Sequence, residues 1–217
     1  MNSKKHIVAP SILSADFLNL GEDLDKIEVA GADYIHCDVM DGVFVPNISF
    51  GPMVVDFVNR RCTKPLDVHL MIVEPEKYVE AFAKAGSDII TIHANATEDL
   101  SATIDLIHEH GAKAGVAVNP DISIDQFLPF IEKIDLVLIM SVYAGFGGQK
   151  FILDTMQKVK AVKQIIDEKG LDIDIEVDGG INDETAKIAY DAGANVLVAG
   201  SYIFGATDYK PLVDSIR

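Results

Sequence analysis

The sequence predicts a (βα)8 barrel, the TIM-barrel architecture, as a single domain over residues 1–217. Short runs of β-branched and apolar residues alternate with segments whose apolar residues recur every three to four positions. This alternation indicates βαβ units and a parallel sheet. Eight such runs in 217 residues give about 27 residues per unit (217/8), which suits a compact barrel. No Pro-, Ser- or Gly-rich linker divides the chain, and a doubly wound open sheet is the alternative fold.

The predicted elements alternate along the whole chain. Apolar, β-branched runs predict strands at His6–Ala9, Tyr34–Val39, Leu66–Leu70, Ile89–His93, Lys113–Val118, Leu136–Met140, Ile173–Val177 and Val196–Ala199. Apolar residues at helical spacing predict helices at Asp16–Ala30, Glu76–Ala85, Asp99–His110, Leu153–Lys169 and Asp183–Ala192.

A weak internal repeat supports the unit length. Ala-Gly-Ala-Asp at 30–33 returns as Ala-Gly-Ser-Asp at 85–88 and as Ala-Gly-Ala-Asn at 192–195, each time directly before a predicted strand. The separations of 55 and 107 residues are close to two and four units. Glycine at a helix end adopts a left-handed conformation that turns the chain, so the repeat predicts helix-to-strand turns.

The composition indicates which kinds of partner and which cellular compartment to expect. The chain has 34 acidic and 18 basic side chains, a net charge of −16, which repels polyanions and predicts no nucleic-acid partner. Cys37 and Cys62 are the only cysteines, which favours a reducing compartment and predicts a cytoplasmic protein. The apolar runs fall short of the ~20 residues that cross a bilayer, and the first residues lack the apolar run of a secretory leader, so no membrane partner is expected.

Polar residues stand where three predicted strands end, which is where a (βα)8 barrel carries its active site. Two imidazoles and two carboxylates at one barrel mouth suit Zn, Fe, Mn or Co better than Ca or Mg. A hydrogen-bonded His-x-Asp pair without a metal is the alternative. Cys37 alternates away from this face and is expected to pack against the helices. The residues that share the inner face are His36, Asp38 and Met40, then His69 and Met71, then Glu176 and Asp178.

Glycine-rich turns follow the last three predicted strands, at residues 145–148, 179–180 and 200–201. Backbone N–H groups in such turns bind phosphate without any cationic side chain. The loops after strands seven and eight are a frequent phosphate site in these barrels. The three glycine-rich turns therefore predict a phosphate site made of backbone N–H groups, which a chain of net charge −16 could use to bind a phosphorylated ligand.

The chain resembles the ribulose-phosphate 3-epimerase family through motifs that occur in order almost from end to end. They are Ala9–Phe17 (APSILSADF), His36–Asn47 (HCDVMDGVFVPN), Asp67–Met71 (DVHLM), Gly145–Gln149 (GFGGQ), Glu176–Gly180 (EVDGG) and Val198–Ser201 (VAGS). The resemblance implies a barrel of the ribulose-phosphate-binding type. It also implies interconversion of D-ribulose 5-phosphate and D-xylulose 5-phosphate, in the pentose phosphate pathway, by two-base proton transfer at C3 through a 2,3-enediolate.

The same resemblance implies a role for each motif residue. One divalent metal ion, with Zn as the first choice and Fe, Mn or Co as alternatives, would be held by His36, Asp38, His69 and Asp178, and Asp38 and Asp178 would also be the two acid–base groups. A small phosphorylated ketopentose is the implied partner, and a homo-oligomer, dimer or hexamer, the implied assembly. The implied substrate contacts are Ser11, His69, Met40, Met71, Met140, Gly145, Phe146, Gly147, Gly148, Gly179, Gly180, Gly200 and Ser201.

One segment departs from the family pattern, which usually has proline directly before the GFGGQ motif. Here Tyr143 and Ala144 occupy the preceding positions. Without proline φ is free at position 144, so we expect a more mobile loop, and we expect Ala144→Pro to lower KM or to rigidify the loop. A neutral variation of the lid is the alternative. His93 is expected to be a structural or supporting histidine rather than a ligand.

Three rival functions remain open. The nearest is the same chemistry on a hexulose phosphate, as in allulose-6-phosphate 3-epimerase. Lyases of the phosphate-binding barrels carry an Asp-x-Lys-x-x-Asp pattern, whereas the second strand here reads Asp38-Val39-Met40-Asp41 without the lysine. A non-catalytic sugar-phosphate binder is the third rival, and the presence of both Asp38 and Asp178 argues against it.

Overall fold

Eight parallel strands form one sheet that closes into a barrel, as predicted. The structure is a computed structural model that describes residues 5–217; residues 1–4, which belong to the predicted domain and to the leader prediction, lie outside that range. The hydrogen-bonded order is β1-β8-β7-β6-β5-β4-β3-β2. Ser11, directly after β1, pairs with His36 of β2 and closes the ring. The strands are β1 (Ile7–Pro10), β2 (Ile35–Met40), β3 (Leu66–Met71), β4 (Ile89–His93), β5 (Lys113–Val118), β6 (Leu136–Met140), β7 (Asp174–Asp178) and β8 (Val196–Ala199).

The helices surround the sheet and agree less closely with the sequence prediction than the strands do. No helix within residues 5–217 is long and apolar enough to cross a membrane. In the described chain the connection from β5 to β6 contains only short 3-10 helices, at Ile124–Gln126 and Leu128–Lys133. The α-helices are α1 (Leu20–Ala30), α2 (Pro52–Arg61), α3 (Val79–Lys84), α4 (Leu100–Glu109), α5 (Met156–Lys169), α6 (Asp183–Ala192), α7 (Ser201–Phe204) and α8 (Lys210–Ser215).

Three predicted helices begin late, and at the first of them local hydrogen bonds favour a turn. The Asp16 carboxylate accepts hydrogen bonds from the backbone N–H of Leu18 at 3.0 Å and from the Asn19 side chain at 2.8 Å. These bonds compete with helix formation, so α1 begins at Leu20. The helix predicted from Glu76 likewise divides into a 3-10 turn at Pro75–Lys77 and the short α3. A 3-10 turn at Leu153–Thr155 also precedes α5.

The internal repeat lies at the end of the barrel where the strands begin. Its three glycines end α1, α3 and α6 with positive φ values of 97°, 99° and 114°, which confirms the predicted turns. The acidic or amide residue two positions later then accepts a hydrogen bond from a strand backbone N–H. These bonds are Val8 N to Asp33 Oδ2 at 3.0 Å, Leu66 N to Asp88 Oδ2 at 2.8 Å and Ile175 N to Asn195 Oδ1 at 2.8 Å.

Alternation along β2 separates the core from the site. Ile35, Cys37 and Val39 point outward into the apolar layer between sheet and helices, so the predicted packing of Cys37 is confirmed. His36 and Asp38 point into the barrel, where both are buried. The strand thus carries a hydrophobic outer face and a polar inner face.

Candidate active site

A cavity opens at the carboxyl ends of the strands and encloses about 540 Å³ of empty space, partly open to solvent. Strand ends and all three glycine turns form its wall. His36 and His69 do not line it, because they lie fully buried beneath it. The other predicted site residues line the cavity: Ser11, Asp38, Met40, Met71, Met140, Gly145, Phe146, Gly147, Gly148, Asp178, Gly179, Gly180, Gly200 and Ser201.

Asp38 stands between the two histidines predicted to bind a metal. Its Oδ1 lies 3.1 Å from His69 Nδ1 and 3.3 Å from His36 Nε2. Its Oδ2 accepts a hydrogen bond of 2.6 Å from the Ser11 hydroxyl. The register explains the cluster, since Asp38 pairs directly with His69 across β2 and β3. Asp178 completes the cluster: one donor atom each of His36, Asp38, His69 and Asp178 lies within 4.8 Å of the others.

The four residues His36, Asp38, His69 and Asp178 are a possible site for a divalent cation. Two imidazoles and two carboxylates form a donor set that suits Zn, Fe, Mn or Co. His36 Nε2 is fully buried beside Asp38 and makes no hydrogen bond, so this nitrogen could bind an ion once it gives up its proton. Donor separations of 3.1 and 3.3 Å also fit shared coordination, because bonds of ~2.1 Å hold neighbouring ligands about 3.0–3.4 Å apart.

The two cavity carboxylates have pKa values shifted in opposite directions. Burial alone would raise the pKa of Asp38, but the charge of His36 and the hydrogen bond from His69 outweigh burial and hold the pKa of Asp38 well below its usual range. Burial, and then the charge of Asp38, raise the pKa of Asp178 to about 7. Environments that separate two neighbouring carboxyl pKa values are typical of a paired acid and base.

Two further carboxyl groups, Asp67 and Glu176, lie fully buried beneath the cavity. His36 Nδ1 donates a 2.6 Å hydrogen bond to Asp67 Oδ2, and Glu176 Oε1 lies 3.7 Å from the same nitrogen. Burial, and then the neighbouring Asp67, raise the pKa of Glu176 well above its usual range. Burial would also raise the pKa of Asp67, but the charge and hydrogen bond of His36 lower it overall. The sequence analysis did not identify Asp67 as a site residue.

His93 contacts the other histidine of the cluster. Its Nε2 lies 2.9 Å from His69 Nε2, and both rings are fully buried. Burial, followed by the charge of His69, lowers the pKa of His93 well below its usual range, so the ring is neutral. His93 does not line the cavity, which is consistent with the supporting position expected from the sequence.

Side chains from several elements hold the glycine turns. Asn47 Nδ2 donates to the carbonyl of Gly145 at 2.8 Å, and Gln149 Nε2 donates to the carbonyls of Tyr143 and Phe146 at 2.7 and 2.8 Å. The Ser141 hydroxyl donates to the Gly179 carbonyl at 2.6 Å. Because these groups occupy carbonyls, the turns are fixed without using the backbone N–H groups that a phosphate would need.

Ser14 is a cavity residue that the sequence analysis missed. Its Oγ would lie 2.6 Å from a Cβ built on Gly200 and 3.5 Å from one built on Gly147, so it stands between two glycine turns. No hydroxyl hydrogen bond of Ser14 occurs within residues 5–217, although it lines the cavity. Its place in the APSILSADF motif, three residues after Ser11, was the available signal.

The segment that lacks the family proline has its own anchor. The backbone N–H of Ala144 donates to Asn119 Oδ1 at 3.1 Å, a bond that proline could not make. Lys158 Nζ in turn donates to the Asn119 carbonyl at 2.9 Å. Tyr143 and Phe146 stand at the cavity rim, and each is about half exposed. The greater mobility expected of this loop stays a prediction.

Sequence comparison places the chain in one family. The profile described as the ribulose-phosphate 3 epimerase family matches residues 7–204. A protein of Bacillus subtilis named ribulose-phosphate 3-epimerase is 54% identical over 211 residues, which is 97% of each chain. A protein of the same name from Synechocystis sp. is 53% identical over 218 residues, covering 99% of this chain and 94% of its own.

Solved structures support the fold. A Salmonella typhimurium protein titled 3-hexulose-6-phosphate synthase superposes with a TM-score of 0.73 over 97% of this chain and 96% of its own. At 18% identity this likeness shows the barrel alone. The sequence identities above, over nearly the whole length, decide the family. The chain therefore belongs to the ribulose-phosphate 3-epimerase family and is an epimerase.

Proposed function

We propose that this chain interconverts D-ribulose 5-phosphate and D-xylulose 5-phosphate by inverting C3 in the cavity at the barrel mouth. The observation that carries the proposal is the pair Asp38 and Asp178, which face one cavity from two non-adjacent strands with pKa values shifted in opposite directions. C3 lies next to the C2 ketone, so its proton is acidic enough for a carboxylate to remove. Inversion needs a second group that returns a proton to the opposite face.

In this mechanism Asp38 and Asp178 exchange roles with the direction of reaction. One carboxylate takes the C3 proton of one epimer, and the other carboxyl group delivers a proton from the other side. Each transfer by a positioned acid or base contributes a factor of about 10²–10⁴ in rate. The Ser11 hydroxyl, hydrogen-bonded to Asp38 at 2.6 Å, orients that carboxylate toward the substrate.

His36, Asp38, His69 and Asp178 would hold the divalent metal that the family uses. Bound there, the cation would polarise the C2 ketone and stabilise the negative charge that develops when C3 loses its proton. Zinc is the first choice for this nitrogen and oxygen donor set, with Fe, Mn and Co as alternatives.

The glycine turns would bind the phosphate end of the substrate. Supporting this, Gly145 to Gly148, Gly179 with Gly180, and Gly200 with Ser201 converge on one cavity that has no lysine or arginine among its described lining residues. Backbone N–H groups and serine hydroxyls are then the available donors. Met40, Met71 and Met140 would keep water away from the reacting carbons, because thioethers are apolar and do not donate hydrogen bonds.

Isotope exchange in D2O tests the two-base assignment. Asp38→Asn and Asp178→Asn should each abolish epimerisation, yet each should still exchange the C3 proton of one epimer, a different epimer for each variant. Asp154→Asn, an exposed carboxylate outside the cavity, is the matched control and should behave as wild type. Metal content is measured in parallel. Near-normal epimerisation by either cavity variant would refute that residue's role.

The same assay separates the rival functions. Turnover of allulose 6-phosphate in preference to ribulose 5-phosphate would indicate a hexulose-phosphate epimerase. Binding of both without turnover would indicate a sugar-phosphate binder.

The homo-oligomer and the cytoplasmic location also remain predictions. Sedimentation of the purified chain tests the assembly. The exposed apolar side chains of Leu18, Met53 and Phe57 are consistent with a contact surface around α1 and α2.

A further inference from the structure

The mechanism leaves two fully buried carboxyl groups unused, Asp67 on β3 and Glu176 on β7. Burying a carboxyl group away from solvent costs free energy unless it is paired or hydrogen-bonded. Both groups stand under the cavity, and both lie close to the same ring, that of His36. Their position suggests a purpose connected with that histidine.

The two nitrogens of His36 have different surroundings. Nδ1 donates a 2.6 Å hydrogen bond to Asp67 Oδ2. Nε2 faces Asp38 Oδ1 at 3.3 Å and makes no hydrogen bond. A carboxylate can only accept, so Asp67 fixes a proton on Nδ1 and leaves Nε2 as the nitrogen available for a ligand bond.

We propose that Asp67 is a positioning residue that holds the His36 ring with Nε2 directed into the metal site. The proposal rests on the metal site of the proposed function and adds a residue to it. Strand register builds the contact, because His36 and Asp67 are direct partners across β2 and β3. Such outer hydrogen bonds fix the orientation of a metal-binding imidazole and increase its strength as a ligand.

Glu176 does not share this role, although it is equally buried. Its Oε1 lies 3.7 Å from His36 Nδ1, beyond hydrogen-bonding distance. Neither of its carboxyl oxygens has a hydrogen-bond partner among the described residues, and the nearby Asp67 helps to raise its pKa. Glu176 therefore offers a matched control: the same depth, the same neighbouring ring and the same functional group, without the bond to His36.

The second histidine is held by a different kind of partner. His69 has Nδ1 toward Asp38 and Nε2 at 2.9 Å from His93 Nε2. The site thus has a carboxylate under His36 and an imidazole ring under His69.

The decisive experiment compares Asp67→Asn with Glu176→Gln. An asparagine at position 67 can direct its amide nitrogen toward His36 Nδ1, which places the ring proton on Nε2. It can instead direct its amide oxygen there, which accepts the Nδ1 hydrogen bond more weakly than a carboxylate does. In both cases His36 becomes a weaker metal ligand. Affinity for Zn²⁺ and Co²⁺ is measured by competition with a chromophoric chelator, without substrate. We expect Asp67→Asn to bind each ion about 10- to 100-fold more weakly and Glu176→Gln to stay within roughly threefold of wild type.

A second measurement uses the wild-type chain and does not depend on whether the variant folds. With ¹⁵N-labelled histidine and bound Zn²⁺, the His36 ring should show a downfield, slowly exchanging proton on Nδ1. A proton on Nε2, or zinc bound through Nδ1, would overturn the proposal. Unfolding of each metal-free variant in the presence of chelator reports any general loss of structure separately.

The outcomes distinguish the inference from the site on which it rests. If the wild type binds neither ion, the proposed metal site fails as a whole. If the wild type binds and Asp67→Asn binds equally tightly, only the role of Asp67 fails. Equal weakening by Glu176→Gln would also overturn it, because the effect would then belong to buried carboxyl groups in general.

Discussion

Replacing Gly180 with alanine tests whether the glycine turns position the substrate. Gly180 has φ of +63°, and a Cβ there would lie 2.6 Å from the backbone nitrogen of Phe151 and 2.9 Å from the carbonyl oxygen of Gln149. Both are backbone atoms, so no side-chain rotation can relieve the contact. Ordinary contact begins at 3.4 Å, so the loop at 149–151 must move by about 0.8 Å (3.4 − 2.6).

Gly170 provides a matched control. It also has φ of +63°, but a Cβ there would meet nothing within 4 Å. Both alanines carry the same left-handed backbone penalty, about 1–2 kcal/mol. The difference between the two variants therefore isolates the steric contact at Gly180, which should add about 1–3 kcal/mol as overpacking does elsewhere.

The loop displacement should also affect catalysis. Gln149 holds the carbonyls of Tyr143 and Phe146, so moving its backbone moves the loop that lines the cavity. A shift near 1 Å in a positioning element can reduce rate by about 10²-fold. We expect kcat/KM of Gly180→Ala to fall about 10- to 100-fold and that of Gly170→Ala to remain unchanged.

Two assays check this reasoning: urea unfolding of both variants, and steady-state epimerase kinetics at saturating metal. Gly180→Ala should be less stable than Gly170→Ala by about 1–3 kcal/mol, with reduced kcat/KM. Equal destabilisation together with wild-type kinetics would show that the contact is relieved elsewhere and that the turn does not position the substrate.

Three further predictions concern the site. Binding of Co²⁺ to the metal-free chain should release more protons at pH 6 than at pH 8, because the pKa of Asp178 is raised to about 7, so that Asp178 is protonated below that value and ionised above it. The affinity for Co²⁺ should fall as pH falls, and equal proton release at the two pH values, measured by calorimetry, would contradict this. Ser14→Ala should raise KM about tenfold at nearly constant kcat, because it removes a hydroxyl placed between two glycine turns; an unchanged KM would exclude a phosphate contact. Ala144→Pro removes the hydrogen bond to Asn119 but also restricts the unfolded chain, so the unfolding free energy should change by less than about 1 kcal/mol. The KM should fall. Unchanged kinetics and unchanged loop dynamics would refute the expected mobility of the loop.

The strands could be predicted from the sequence because their signal is local. Every predicted strand is present, and no end differs by more than one residue. Helix α2 was not predicted because its signal is weak. It follows Gly51, which offers no side chain to cap it, and only Val55 and Val58 are buried. Helices α7 and α8, with 4 and 6 residues, are too short for a periodic pattern.

The residues of the candidate site also fall into those that the sequence could predict and those that it could not. Strand alternation was sufficient to place His36, Asp38 and His69 on an inner face, because it depends only on neighbours in sequence. Asp67 could not be recognised, because its role depends on the register between β2 and β3 and on one 2.6 Å contact. Ser14 depends on the approach of the loops that follow β6 and β8, which are distant from it in sequence. Contacts set by register and loop approach need the folded chain.

The acidic composition and a phosphorylated substrate are compatible because of where the charges lie. Of the described residues that line the cavity, Asp38 and Asp178 are anionic or ionisable and none is lysine or arginine. A phosphate monoester adds about −1.5 to −2 charges at neutral pH. In the proposed function the backbone turns would supply partial positive charge at the phosphate end, and the cation would compensate the carboxylates at the reacting end. Substrate and metal would therefore stabilise each other in this cavity, so the net charge of −16 does not argue against a phosphorylated ligand.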